Sequence, residues 1–443
     1  MLVLLEPKTA HAFSADLDSL SGTNQSFTDD FSERSYGQRF YTTTEKDINR
    51  VKEPSVFLTS ADKGGALWQA RGGTSANVVY DSNVEGAYND ERNELIHSYA
   101  ANWGLTRREH RTFFSTFYNI DATKNVVIEK NDAVNHKITS EYRYKGSKFR
   151  AELTNTFTPG TDYATGNRTE LEVAGRKKVR TIADNAQLNL MYTYSPKTEL
   201  SMLLGYDNFY FPIVDNSEEV NGFSSITYRV APRINYKWTP KTSLHAAWPW
   251  YRTYYYQSGE NNSSGFTPSV GIATKLGSKT AAGFDIGYQY RSYQQNILPI
   301  DGLTLSAGLY RQLFAKVGGS VYYTRSTTED FDSLEGQNRS TVTDFYGMNL
   351  GWKISKKVEV QLDASMGFDS KEGFITLPDP ENPAINFVRE QEDVTYQWGI
   401  DWNWEPRKYV NFKLGYKYLN KNSSFKDFEY EDHKVVASVN SHF

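Results

Sequence analysis

Val358-Glu359-Val360-Gln361-Leu362-Asp363-Ala364-Ser365-Met366-Gly367-Phe368-Asp369 alternates apolar and polar residues without a break. Val358, Val360, Leu362, Ala364, Met366 and Phe368 share one face, and Glu359, Gln361, Asp363, Ser365 and Asp369 share the other. A period of two belongs to a β-strand and to no helix. At about ten to thirteen residues, the run also has the length of a tilted strand that crosses a bilayer. The pattern recurs on both sides. Val394, Tyr396, Trp398, Ile400, Trp402 and Trp404 oppose Thr395, Gln397, Gly399, Asp401 and Asn403. Val410, Phe412, Leu414, Tyr416 and Tyr418 oppose Asn411, Lys413, Gly415 and Lys417. Further upstream, Ile226, Tyr228, Val230, Ile234, Tyr236 and Trp238 oppose Thr227, Arg229, Arg233, Asn235 and Lys237.

The polar face of these strands is charged along much of its length, and buried charge is costly unless it is paired or hydrated. A soluble sandwich would bury one face against another sheet and use short strands. The arrangement of lowest cost sets the apolar face in lipid and the charged face around a wet lumen. Closing the sheet removes every edge, as the bilayer requires. The expected fold is therefore all-β: a transmembrane antiparallel up-and-down barrel.

Composition agrees with this reading by exclusion. The 443 residues include no Cys, which removes disulfide scaffolds, thiolate metal sites and cysteine nucleophiles. Aromatic residues make up 15% against 14 Pro, which argues against a disordered chain. A formal charge of −4 gives no electrostatic reason to expect nucleic acid. Mean hydropathy is −0.63, and no apolar run approaches the roughly 18 residues of a spanning helix.

Two kinds of connection alternate. Short turns fall at Ser195–Thr198, Thr239–Thr242, Leu276–Lys279, Ser355–Lys357 and Glu405–Lys408, where Pro and Gly favour tight bends. Long polar stretches lie at Gly160–Ala183, Asn208–Ser224, Tyr255–Gly265, Thr327–Ser340 and Lys371–Glu392. Short periplasmic turns and long extracellular loops are the asymmetry of an outer-membrane barrel. At about 21 residues per strand with its share of connection, residues 66–443 make about eighteen strands, within a range of 16–18. An even count puts both barrel termini on the short-turn side.

The chain ends on Phe443, in step with Ser441, Val439, Ala437 and Val435. A terminal Phe on an alternating strand resembles the signal read by the barrel-insertion machinery of Gram-negative outer membranes. Tyr192, Tyr194, Tyr206, Trp238, Trp352, Trp404, Tyr416 and Tyr418 fall at strand ends, where aromatic girdles meet the headgroups. At the other terminus, Leu2-Val3-Leu4-Leu5 precedes Ala10-His11-Ala12, a small-x-small cleavage pattern. Residues 1–12 read as the remnant of a signal peptide. Residues 13–65 are polar and aperiodic, and two readings stay open for them: a periplasmic lead-in or a plug in the lumen.

The expected pore-lining residues are Lys137, Arg143, Arg150, Arg229, Arg233, Lys237, Asp285, Arg291, Glu359, Asp363, Asp401, Lys413 and Lys417. Lys316 joins the cations, and Glu141, Glu152, Glu199 and Asp207 join the anions. Basic strands around Lys137–Arg150 and Arg229–Lys237 face an acidic strand at Glu359–Asp369. This makes either a transverse field or a set of charges that neutralise one another. No catalytic, cofactor or metal site is expected. The seven His show no ligand spacing, and there is no GxSxG elbow. Gly277-Ser278-Lys279-Thr280 sits on a hairpin turn and lacks the phosphate-loop order. Glu329, Asp330 and Asp332 read as solvated loop charge rather than a calcium site. His97, His136 and His245 are the histidines a lipid-face hydrolase would draw on, and no enzymatic activity is expected.

The first strand reads Gly72-Gly73-Thr74-Ser75-Ala76-Asn77-Val78-Val79-Tyr80-Asp81-Ser82-Asn83-Val84. Gly followed by an alternating strand that ends in Tyr-Asp-Ser-Asn resembles the opening of the putative beta-barrel porin 2 family. An aromatic soon after the Asn, usual in that family, is replaced here by Val84-Glu85-Gly86-Ala87. The resemblance implies an outer-membrane conduit, often associated with exopolysaccharide synthesis and export, working with periplasmic partners. The expected function is passive passage of hydrophilic solute through the outer membrane of a Gram-negative bacterium. The competing reading is a structural or adaptor barrel, as a sheath for a periplasmic cytochrome or as a surface receptor or adhesin. Asp81 and Asn83 are expected to cap the first extracellular turn. Expected partners are outer-membrane lipid, the insertion machinery through Phe443, and periplasmic export proteins, with no nucleic acid.

Overall fold

The computed structural model describes residues 67–82, 93–127, 132–163, 178–210, 224–256, 262–294, 299–332, 337–378, 386–407, 409–424 and 429–442. The expected signal remnant, the segment 13–65, Asn83 and Phe443 lie outside them. The first strands are β1 (Leu67–Asp81), β2 (Glu94–Arg108), β3 (Thr112–Asn125), β4 (Ala133–Lys145) and β5 (Phe149–Tyr163). They are followed by β6 (Lys178–Thr193), β7 (Thr198–Tyr210), β8 (Ser225–Lys237), β9 (Thr242–Ala247) and β10 (Trp250–Tyr255). Next come β11 (Ser263–Phe266), β12 (Ser269–Lys275), β13 (Thr280–Tyr293), β14 (Ile300–Phe314) and β15 (Val317–Asp332). The last are β16 (Gln337–Lys353), β17 (Val358–Pro378), β18 (Asn386–Arg407), β19 (Val410–Ser423) and β20 (Tyr430–His442).

Every pairing is antiparallel, and β1 pairs with β20, so the sheet closes. β8 pairs with both β9 and β10, and β13 pairs with both β11 and β12. Each of those couples is one crossing, and the barrel therefore has eighteen strands. The interruptions fall at Pro249 and Pro268. Pro232, Pro249 and Pro268 lie on adjacent crossings, and each carbonyl accepts a ladder bond, from Trp248 N (2.9 Å), Thr267 N (2.9 Å) and Tyr288 N (3.0 Å) respectively. None can return one, because proline has no N–H.

The alternation sorts side chains as the sequence implies. Tyr99 (59% exposed), Trp103 (56%) and Met348 (54%) stand on the accessible face. Asp81, Glu94, Asp285, Asp393 and Asp401 are buried on the other, together with hydroxyls such as Thr106, Ser115, Ser306 and Ser320. In a closed barrel the less accessible face is the concave one. This inverts a soluble core, and it is the sorting a lipid-facing wall requires. With strands about 4.8 Å apart and tilted about 40°, eighteen of them enclose a cylinder about 35 Å across between Cα positions.

The short turns lie where expected, closed by bonds such as Ser195 N to Thr198 O (3.1 Å) and Thr239 N to Thr242 O (3.1 Å). Lys408, the end of the fifth turn, lies outside the described residues. Three of the long stretches need correction. Thr327–Ser340 is mostly paired strand, with Thr328 opposite Thr341 and Asp332 opposite Gln337. Within Lys371–Glu392, β17 runs on to Pro378 and β18 starts at Asn386. Within Gly160–Ala183, Tyr163 pairs with Lys178. The reason is physical. Beyond the bilayer both faces meet water, so alternation fades while backbone pairing continues.

Candidate functional site

Register places the expected wall residues. Lys137, Arg143, Arg150, Arg229, Arg233 and Lys237 occupy positions that alternate with exposed Ile138, Tyr142, Phe149, Tyr228, Ile234 and Tyr236. They therefore stand on the concave face. Asp285, Arg291, Glu359, Asp363, Asp401, Lys413 and Lys417 do the same beside Phe284, Leu362, Trp402 and Leu414. Lys316 does not. It belongs to the β14–β15 turn, and its Nζ donates to Ile354 O (2.9 Å). A two-residue turn has no wall position to offer.

Much of the charge on this face is matched by a neighbouring strand. Arg143 bridges Glu141 and Glu152, the latter at 3.1 Å. Arg150 bridges Glu199 on β7. Arg229 lies 3.7 Å from Asp207. Lys413 reaches Asp401 at 3.0 Å. On the acidic side, Asp393 receives Lys371 (3.2 Å), Lys421 (3.1 Å) and the Ser423 hydroxyl (2.6 Å). Neutralisation along the wall, within a strand or between strands at most one apart, rather than across the lumen, describes these pairs. Sequence reading missed Asp393, Lys421 and Lys434 because it cut the strands short at their long-loop ends. Extending the two-residue count by one step from Val394 would have found Asp393.

The closing seam contains the Tyr80-Asp81-Ser82 motif. Tyr80 faces outward and is 42% exposed. The turn that Asp81 and Asn83 are expected to cap lies outside the described residues. The Asp81 carboxylate meets Lys434 Nζ on β20 at 2.7 Å, and Lys434 also reaches Asp432 at 3.2 Å. Ser82 N donates to His433 O (3.0 Å), and His433 N donates back to Ser82 Oγ (2.7 Å). The opposite strand position holds Glu94, which accepts the N–H groups of Leu95 (3.1 Å), Val126 (2.8 Å) and Val127 (2.9 Å). Asp81 points into the barrel because strand alternation sets its direction.

Two further constructions use glycine as clearance. His245 on β9 and Asp285 on β13 form a buried pair across the intervening strand, passing directly over Gly271. A Cβ there would run into Asp285 Oδ1 and His245 Cε1. Higher on the same wall, Arg291 Nε donates to the Tyr251 hydroxyl (3.0 Å), with the guanidinium 4.8 Å from that ring's centroid. The Tyr251 hydroxyl crosses Gly265, where a Cβ would strike it. His97 and His136 share the outward face, and His136 Nδ1 is engaged by the Tyr118 hydroxyl at 2.5 Å. Among the described residues, no group of three His, Asp or Glu side chains is arranged to hold a metal ion. The side chains of Glu329, Asp330 and Asp332 lie outside what is described.

A barrel of eighteen strands with a charged, hydroxyl-rich concave wall is a porin-like architecture, and comparison with family models agrees. Residues 224–443 match the model described as putative beta-barrel porin 2. Over those residues the chain belongs to the putative beta-barrel porin 2 family. The Tyr80-Asp81-Ser82-Asn83 motif lies outside the matched span. No curated protein matches. Among solved structures, the chain is similar to OccK5 (OpdH) of Pseudomonas aeruginosa, at TM-score 0.49 and 9% identity, over 84% of this chain and 98% of that one. It is also similar to the outer membrane protein OpdK of Pseudomonas aeruginosa, at TM-score 0.49 and 8% identity, over 84% and 99%. The siderophore receptor PirA of Pseudomonas aeruginosa gives TM-score 0.45 and 10% identity, over 84% and 80%.

Proposed function

We propose that this putative beta-barrel porin 2 protein is a passive channel in the outer membrane of a Gram-negative bacterium. The observation that carries this is the concave wall of a closed eighteen-strand barrel, lined with ion pairs and hydroxyls. Barrels of sixteen to eighteen strands leave room for an aqueous channel. The pore-lining set is Lys137, Arg143, Arg150, Arg229, Arg233, Lys237, Asp285, Arg291, Glu359, Asp363, Asp401, Lys413 and Lys417.

Local pairing supports a particular kind of cargo. Arg143, Arg150, Lys413 and Lys421 each have a carboxylate within reach, so their fields largely cancel a few ångströms from the wall. What remains is a surface of hydroxyl and amide groups, suited to a neutral or weakly charged hydroxylated solute. An exported polysaccharide chain has that chemistry, and the family resemblance points the same way. Outer-membrane lipid, the insertion machinery acting on Phe443, and periplasmic export proteins are the proposed partners. The test is planar-bilayer conductance of the full chain and of a chain lacking residues 1–65. Conductance in either, with weak ion selectivity, supports a channel. Silence in both means a structural or adaptor barrel.

A further inference from the structure

The cations left out of the wall pairs concentrate on one rim. Arg111, Lys148, Lys197, Lys241, Lys279 and Lys356 are exposed, each on a different short turn. The two remaining turns carry Lys316 and Arg407, also exposed. Exposed carboxylates are scarce there. Among the described residues they are Glu109, which bridges Arg107, and Glu405. The long-loop rim has the opposite tendency in sequence, as in Asp215, Glu218 and Glu219 or Asp379 and Glu381. We infer that the short-turn rim is a binding ring for anionic glycerophospholipid headgroups of the leaflet on that side.

Three features favour lipid over an acidic protein. The cations fall on all eight turns around the circumference, as a lipid annulus would require, whereas a docked protein needs one concentrated patch. They follow the aromatic girdle directly: Trp238 (60% exposed), Phe314 (69%), Trp352 (49%) and Trp404 (39%) each stand within a few residues of a turn cation. Such aromatics sit at headgroup level. The turns are too short to lift a lysine far past them, since tight-turn ends are under about 7 Å apart. The ammonium groups therefore lie in the phosphate layer, where each contributes to binding anionic lipid. The outer wall there carries the apolar band, so acyl chains and phosphates are held by the same strand ends.

This inference rests on the membrane-barrel reading and is independent of conductance. The protein is reconstituted in phosphatidylcholine vesicles containing brominated phosphatidylglycerol or brominated phosphatidylcholine, and tryptophan quenching reports local lipid preference. Wild type is expected to prefer phosphatidylglycerol several-fold. The preference falls toward unity in the quadruple variant Lys197→Gln, Lys241→Gln, Lys279→Gln, Lys356→Gln. Half-molar salt lowers it in the wild type without any substitution, because exposed charges are screened. Equal quenching by both lipids in wild type overturns the inference and leaves the membrane barrel intact. So does a preference that the variant and salt leave unchanged. Absence of lipid preference with capture of a poly-glutamate peptide would make the rim a protein dock and overturn it too.

Discussion

Gly271→Ala adds one methyl group to the concave wall, and the structure says where it goes. The new carbon would occupy the path of the His245–Asp285 pair, with Asp285 Cγ only 2.7 Å away. Both partners are buried, His245 at 6% exposure and Asp285 at 5%, so neither can swing into water without leaving its place. The carboxylate must retreat by about an ångström, which separates Asp285 Oδ1 from His245 Nε2. It also leaves two buried polar groups short of a partner, and the expected total is about 2–4 kcal/mol. Urea unfolding in lipid vesicles, followed by tryptophan fluorescence, measures this. Gly277→Ala is the matched control, because a Cβ there meets nothing within 4 Å, and it should change stability by less than about 0.5 kcal/mol. A double-mutant cycle decides the mechanism. In a background carrying both His245→Ala and Asp285→Ala the obstruction disappears, so the added cost of Gly271→Ala should shrink to under about 1 kcal/mol. If Gly271→Ala costs the same with and without the pair, or costs no more than Gly277→Ala, the pair does not cross at this point and the reasoning fails.

Lys434→Met strands Asp81 and Asp432 at the closing seam, and a loss of about 3–5 kcal/mol is expected, read as a lower temperature for the heat-induced mobility shift on gels. An unchanged shift temperature would show that the seam closes without this bridge. Pro232→Ala, Pro249→Ala and Pro268→Ala each restore a ladder donor opposite Trp248, Thr267 and Tyr288. Each should stabilise by about 0.5–1 kcal/mol, the new bond outweighing the freedom regained by the unfolded chain, and a fall in the urea midpoint counts against it. Glu199→Gln releases Arg150 and should move the reversal potential in a KCl gradient toward anions, whereas Lys413→Gln exposes Asp401 and should move it toward cations. Both shifts should be larger at 0.1 M than at 1 M salt, where the Debye length falls from about 10 Å to about 3 Å.

Period two is a local property of the backbone. The sequence alone therefore sufficed for the fold class, for the faces carrying Val358 to Phe368 and Arg229 to Lys237, and for the positions of the short turns. Composition bounded the chemistry in the same way, since a chain without cysteine has no thiolate to offer. Strand ends were legible only inside lipid. At Thr327–Ser340 and Lys371–Glu392 polar residues on both faces hid strands that pair through the backbone. Partnership was not legible at all. Asp81 and Lys434 are 353 positions apart, and they meet because the first strand closes on the last in one particular register. His245 meets Asp285 because a strand lies between theirs and carries glycine at the crossing. Which charge cancels which, and so how much field is left in the lumen, depends on strand order, stagger and closure. Those are fixed only when the whole sheet has formed.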